Sequence, residues 1–262
     1  MSRKPPTRKS LPAKSVQEFR ALLETALDTQ DEQGRKWADA QWGCYAFYDY
    51  DGEPIYVGQT NERLRTRIRR HLSNQRTDAV AMRILDVFEV AEMELWPLWD
   101  YEGISAANRE AKQHLNRVEY TAYTQAIEDS RFKAILNEKI PPVSELGELP
   151  PSKRFNLISD ETREERGHPD VRIARRAETI SRLAAVAHER GEVSSGLRRV
   201  LVIQAVRLAY LSATRLAEAE GRDEPKANVI YMEGLVGSVR KPLDAGDTDT
   251  PEGDGEPELD LG

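Results

Sequence analysis

Residues 43–60 read as a β-hairpin, and that hairpin limits what the rest of the chain can be. Tyr45 to Tyr50 and Pro54 to Gly58 are short runs rich in aromatic and β-branched residues, separated by Asp51-Gly52. Asp-Gly is a preferred centre for a two-residue turn because both central positions need positive φ. With that turn, Tyr45 pairs with Gly58 and Phe47 with Tyr56. Directly opposed residues share a face, so Tyr45 and Tyr56 point to one side as diagonal neighbours. A glycine opposite Tyr45 leaves room for a ligand to approach the backbone. Pro54 has no N–H to give and fits the start of an edge strand. A longer turn would shift this register.

A basic helix follows. Leu64, Ile68 and Leu72 recur every four residues and form its inward stripe. Arg63, Arg67, Arg70 and His71 lie on an adjoining face, with Arg67 and His71 one turn apart. Charges this dense repel unless an anion sits between them, and the planar fork of arginine suits phosphate. Taken alone, the helix could equally be a solvated basic surface.

Ala107 to Ile127 reads as a second helix with Leu115, Val118, Ala122 and Ala126 on its buried stripe. Glu119 falls inside that stripe. A carboxylate there needs a metal or an arginine to offset its desolvation. A Glu–Arg pair that only staples two helices is the plainer alternative. A further helical turn is expected to end at Asn137, ahead of Pro141-Pro142.

This ordered set resembles the GIY-YIG nuclease family over residues 41–142. The two halves of the family motif appear as Gly43-Cys44-Tyr45, with cysteine in place of the usual isoleucine, and Tyr56-Val57-Gly58. Arg67, His71, Glu119 and Asn137 follow in the family's order. Arg65 is a rival to Arg67, and the Arg67–His71 spacing favours the latter. The resemblance implies an α+β fold with a small three-stranded antiparallel sheet flanked by helices, its third strand between Asp86 and Leu98. It also implies a metal-dependent endonuclease that hydrolyses phosphodiester bonds in DNA with one Mg²⁺ (or Mn²⁺) on Glu119. In that scheme Tyr45 positions or deprotonates the attacking water, and His71 is the alternative base or relays the proton of Tyr45. Arg67 braces the developing charge, Tyr56 contacts the phosphate, and Asn137 orients the site from behind. Gly58, Arg63, Arg65 and Arg70 would lie along the DNA backbone. The setting expected is restriction or defence, or DNA repair. A catalytically idle nucleic-acid binder and a protein-interaction module are the competing classes.

Charge distribution refines this. The chain of 262 residues carries a formal net charge of −7, yet eight acids and no base lie between Asp244 and Asp260. Without them the remainder stands at about +1. Residues 241–262 therefore read as a disordered acidic tail, either solubilising or mimicking nucleic acid and shielding the basic groove. Residues 1–14 read as a disordered basic arm. No apolar run approaches the roughly 20 residues of a membrane helix, no apolar core for a signal peptide is evident, and one cysteine rules out an intrachain disulfide. A cytoplasmic protein is expected.

The nuclease-like unit then spans residues 15–142, beginning with a helix whose Ser15 and Glu18 suggest a capping box. Residues 143–169 read as a linker, and 170–240 as a helical accessory region. There Ile173, Ala177, Ile180, Ala184 and Ala187 mark one buried stripe, and Leu197, Val200, Leu201, Leu208 and Leu211 another. Arg172, Arg175, Arg176, Arg198 and Arg199 are expected on the outer surfaces. The hairpin would pack, form a homodimer, or contact DNA.

Overall fold

The structure, a computed structural model, describes residues 12–72 and 86–242. The basic arm through residue 11, the extension of the basic helix toward Arg76 and the acidic tail from residue 243 lie outside the described residues. The fold is α+β: an open antiparallel sheet and, among the described residues, seven α-helices. The sheet has four strands, β1 (Gly43–Tyr48), β2 (Pro54–Thr60), β3 (Glu92–Pro97) and β4 (Lys153–Asn156), in the order β2-β1-β3-β4.

In the hairpin, Tyr45 opposes Gly58 and Phe47 opposes Tyr56, as the sequence predicts, by a different route. The turn holds three residues. Gly52 N–H reaches the Asp49 carbonyl at 3.1 Å, Asp49 N–H reaches the Glu53 carbonyl at 2.9 Å, and only Gly52 has positive φ (+70°). This is the type I turn closed by a left-handed glycine that suits three-residue loops. The extra turn residue moves the register by one, and an irregularity between Phe47 and Tyr48 moves it back.

Two other expectations change. Val87–Glu89 forms a 3-10 turn, leaving only Glu92–Pro97 as the third strand. The segment read as a linker supplies a fourth strand, β4, against β3. It escaped notice because Phe155 is its only buried residue. Its neighbour Arg154 lies 3.6 Å over the Tyr48 ring and donates to Glu92 at 2.6 Å.

The sheet is covered on both faces. Tyr45, Phe47 and Tyr56 face α1 (Lys14–Asp28) and α2 (Leu64–Leu72), whose Leu23, Leu27, Leu64 and Ile68 are fully buried. Cys44, Ala46 and Val57 face α3 (Arg109–Asp129), which buries Leu115, Val118 and Ala122. Asn108 caps α3 by accepting from Ala111 N–H at 2.9 Å. The capping box at Ser15 does not form, because α1 starts two residues earlier than that cap would set, with Ala13 in the cap position.

The remaining helices are α4 (Asp160–Gly167), α5 (Pro169–Arg190), α6 (Ser195–Ala219) and α7 (Met232–Val236). In α5 the buried face is Arg172, Arg176, Thr179, Leu183 and Val186, one residue ahead of the stripe the sequence suggested. The helix is turned by its arginines. Arg172 (2% exposed), Arg176 (5%) and Arg207 of α6 (1%) all reach Asp49, so the expectation of outward arginines is wrong for Arg172 and Arg176. By length and composition, Ser195–Ala219 is apolar enough to cross a membrane, contrary to the reading from apolar runs. In this fold its buried face holds Gln204 and Arg207 as well as Leu197, Val200 and Ile203.

Candidate active site

The two tyrosines meet a histidine over Gly58. The Tyr45 hydroxyl and His71 Nε2 are 2.9 Å apart. The rings of Tyr45 and Tyr56 lie 6.2 Å apart, and His71 sits 5.7 Å from the first and 5.6 Å from the second. Phe47 stacks on Tyr56 at 6.0 Å and fixes its plane. A Cβ at Gly58 would lie 2.6 Å from the Tyr45 hydroxyl and 2.9 Å from the Tyr56 ring. The glycine is thus required by the close approach of both phenols. Gly43 is equally constrained, since a Cβ there would lie 2.7 Å from the Trp96 carbonyl.

Helix α2 supplies the cation. Because Leu64, Ile68 and Leu72 are buried, Arg67 and His71 emerge together on the flank facing the tyrosines. The Arg67 Nε is buried without a hydrogen-bond partner. Burial would weaken the Arg67 charge, but the neighbouring Tyr45 and Tyr56 phenols outweigh it and hold its pKa above the ordinary value. Tyr45 is fully buried. Its burial, reinforced by Tyr56, pushes its pKa well above the ordinary phenol range despite the opposing pull of Arg67.

Helix α3 supplies the carboxylate. Glu119 is 7% exposed and, among the described residues, makes no hydrogen bond or ion pair. Burial pushes its pKa up to about 8, and Arg67 is the one charge that opposes the rise. A buried carboxylate facing one guanidinium and lacking other partners is a donor suited to a hard cation. Among the described residues no three His, Cys, Asp or Glu side chains converge on a metal position. A cation on Glu119 would therefore draw most of its ligands from water and substrate oxygens, the habit of Mg²⁺.

Asn137 is buried behind the strand. Its Oδ1 accepts from Val57 N–H at 3.0 Å and its Nδ2 donates to the Val57 carbonyl at 2.7 Å. It stands in an extended segment, where a helical turn was expected. That segment runs along the open edge of β2, and Leu136 N–H reaches the Ile55 carbonyl at 2.8 Å. Asn137 thereby fixes the residue between Tyr56 and Gly58.

The basic residues divide. Arg63 is exposed at the head of α2. Arg70 is held by Glu62, with contacts of 2.8 and 2.9 Å. Arg65 points elsewhere: it donates to Asp39 at 2.8 Å, to Asp28 at 3.0 Å and to the Leu27 carbonyl at 2.8 Å. Its role is to tie α2 to the end of α1, and it does not join the site. Cys44, the departure from the usual motif, faces α3 with Sγ 4.0 Å from the Leu115 carbonyl. Burial, then the Glu119 charge, raises its thiol pKa well above the ordinary value, so the residue serves packing.

Sequence reasoning missed Gln59, Lys112 and Asn116, which line a groove that also contains Arg67. Lys112 and Asn116 precede Glu119 by two turns and one turn on α3, a spacing that could have flagged them.

Searches of curated proteins and of solved structures return no match to this chain. A family model does match: residues 41–146 are similar to the GIY-YIG catalytic domain.

Proposed function

We propose that the chain is a metal-dependent endonuclease that hydrolyses phosphodiester bonds in DNA. The observation that carries this reading is the 2.9 Å contact between the Tyr45 hydroxyl and His71 Nε2, set over Gly58 beside Arg67. The phenol keeps its proton at neutral pH because its pKa is raised, so it is a poor base alone. His71 gives that proton a destination. As water attacks phosphorus, it passes a proton to the Tyr45 oxygen while the Tyr45 hydroxyl proton moves to a neutral Nε2 of His71. Arg67 faces the phosphate and stabilises the charge that grows on its oxygens as the bond forms. The Tyr56 hydroxyl donates to a phosphate oxygen, and Asn137 holds the strand that positions it. Mg²⁺ or Mn²⁺ on Glu119, when bound, would stabilise the departing 3′ oxygen.

A catalytically idle binder fits less well. Phosphate binding gains nothing from a buried carboxyl group such as Glu119, whereas a cation site needs one that can ionise. We place the activity in restriction, defence or DNA repair, in the cytoplasm, and assign packing against the catalytic hairpin to α5 and α6.

The test is cleavage of supercoiled plasmid and branched DNA with Mg²⁺, comparing wild type with Glu119→Ala and Arg67→Ala. Wild type is expected to cut and both variants to lose activity by a factor on the order of 10²–10³, the scale for removing one group that stabilises transition-state charge. Equal cutting by all three would remove the mechanism.

A further inference from the structure

A groove of about 260 Å³ has Arg67 of the proposed site in its lining. Gln59 and Thr60 of β2, Asn61, and Lys112 and Asn116 of α3 form its walls. Most of its polar groups are placed as donors, with the buried and unpartnered Gln59 Oε1 as an acceptor beside them. Lys112 is exposed and makes no ion pair among the described residues. Asn116 Oδ1 is occupied by Gln59 Nε2 at 3.0 Å, which fixes the amide and leaves Asn116 Nδ2 without a protein acceptor among the described residues. Thr60 Oγ1 accepts from Glu62 N–H at 3.1 Å, so its own hydrogen is available. Glu62 also lines the groove, but both of its oxygens are engaged by Arg70, which neutralises the acid.

Four donors, two of them cationic, and a neutralised acid suit a ligand rich in acceptors and negative charge. At 1.5 Å per residue, Asn116 and Lys112 lie about 4.5 and 10 Å along α3 from Glu119. Phosphates of one strand advance about 3.4 Å along a duplex axis per nucleotide.

We propose that Lys112, Asn116 and Thr60 form a phosphate subsite that holds the nucleic-acid strand one to three nucleotides from the attacked bond. Gln59 is a positioning residue for Asn116. The subsite rests on the nuclease reading, since it takes its register from Glu119 and Arg67.

The experiment titrates a short DNA duplex with the full chain in EDTA, by fluorescence anisotropy over a salt series. Wild type is compared with Lys112→Gln, Asn116→Asp and the remote Lys226→Gln. Plasmid cleavage with Mg²⁺ is measured in parallel. Lys112→Gln is expected to weaken binding a few-fold and to lower the magnitude of the log Kd against log salt slope by about 0.9, the share of one phosphate contact. Asn116→Asp keeps the acceptor that Gln59 uses but sets a negative charge against the phosphate, so KM should rise while kcat holds. Lys226→Gln should leave the slope unchanged. A wild type that binds and cuts, with the same slope for Lys112→Gln, overturns the subsite alone. A wild type that neither binds nor cuts overturns the nuclease reading with it.

Discussion

Arg207 of α6 donates to Asp49, the residue that closes the β1–β2 hairpin, at 2.8 Å across 158 residues of sequence. Arg172 and Arg176 reach the same carboxylate oxygen at 3.1 and 2.9 Å. The other oxygen accepts the turn N–H groups of Asp51 and Glu53 at 2.9 and 3.2 Å. The turn below Tyr45 and Tyr56 is thus held by the C-terminal helices. Removing Asp49 leaves buried guanidinium groups without their shared anion, so Asp49→Ala should lose about 3–5 kcal/mol. Asp51 also meets Arg172, at 2.7 Å, but is 44% exposed, so Asp51→Ala should lose less than about 1 kcal/mol. Urea unfolding of both variants checks this, and comparable losses would contradict the anchoring role.

The same carboxylate sets an acid limit. Burial alone would raise its pKa, but the charges of Arg207, Arg172 and Arg176 win and hold it below the ordinary value. A depressed folded pKa contributes stability that is present above the unfolded value of about 3.9 and is lost as pH falls through the folded one. Asp49→Asn should therefore flatten the acid limb of the stability curve below about pH 4. Urea midpoints followed from pH 6 downward report it, and an unchanged acid limb would count against Asp49.

The hairpin was legible because aromatic runs, Asp-Gly and Pro54 are local signals. Its Tyr45–Gly58 register survived an error in turn length because a compensating irregularity follows the turn. The shared flank of Arg67 and His71 and the burial of Glu119 were legible through spacing, since each helix has an apolar stripe to index against; joining them into one site came from the family resemblance. What could not be read was tertiary choice. Nothing near Arg65 says that Asp28 and Asp39 will claim it. Nothing in α5 says that arginines, rather than Ile173 and Ala177, will face inward, because their partner Asp49 lies far away in sequence. β4 is four residues with one apolar contact, too weak a pattern to stand out among prolines.

Gly58→Ala tests the approach of Tyr45 directly. The new methyl group would stand 2.6 Å from the phenol oxygen, so the ring must shift and its contact with His71 must lengthen. A displacement of about 1 Å at a reacting group lowers rate on the order of 10²-fold. We expect kcat to fall by that factor while DNA affinity in EDTA stays near wild type. Full activity would show that the phenol–imidazole contact is dispensable.

Asn137 should prove a strand anchor with little tolerance for substitution. Asn137→Asp keeps the acceptor for Val57 N–H, loses the donor to the Val57 carbonyl and buries a charge at a site 5% exposed. A buried group left unsatisfied costs about 1–3 kcal/mol, and more when charged. Amide hydrogen exchange at Val57 and Gly58 should accelerate in this variant ahead of exchange in α3. Uniform acceleration across the domain would point to general destabilisation instead.

Glu119 gives the strongest pH dependence. Its carboxyl pKa stands at about 8 in the fold against 4.5 ordinarily, owing to burial and only partly offset by Arg67. A raised folded value means that the folded state binds the extra proton between these limits. In the absence of a divalent cation, stability should therefore fall as pH rises from about 4.5 to 8 and level off above it, and Glu119→Gln should abolish that slope. Cation binding needs the ionised form. Affinity for Mg²⁺ or Mn²⁺ should thus climb about tenfold per pH unit up to pH 8 and then flatten. Each cation bound at pH 7 should release close to one proton. Calorimetric titration with Mn²⁺ at pH 7 in two buffers of different ionisation enthalpy counts that proton. A count near zero, or an affinity unchanged in Glu119→Gln, would remove Glu119 from the cation site.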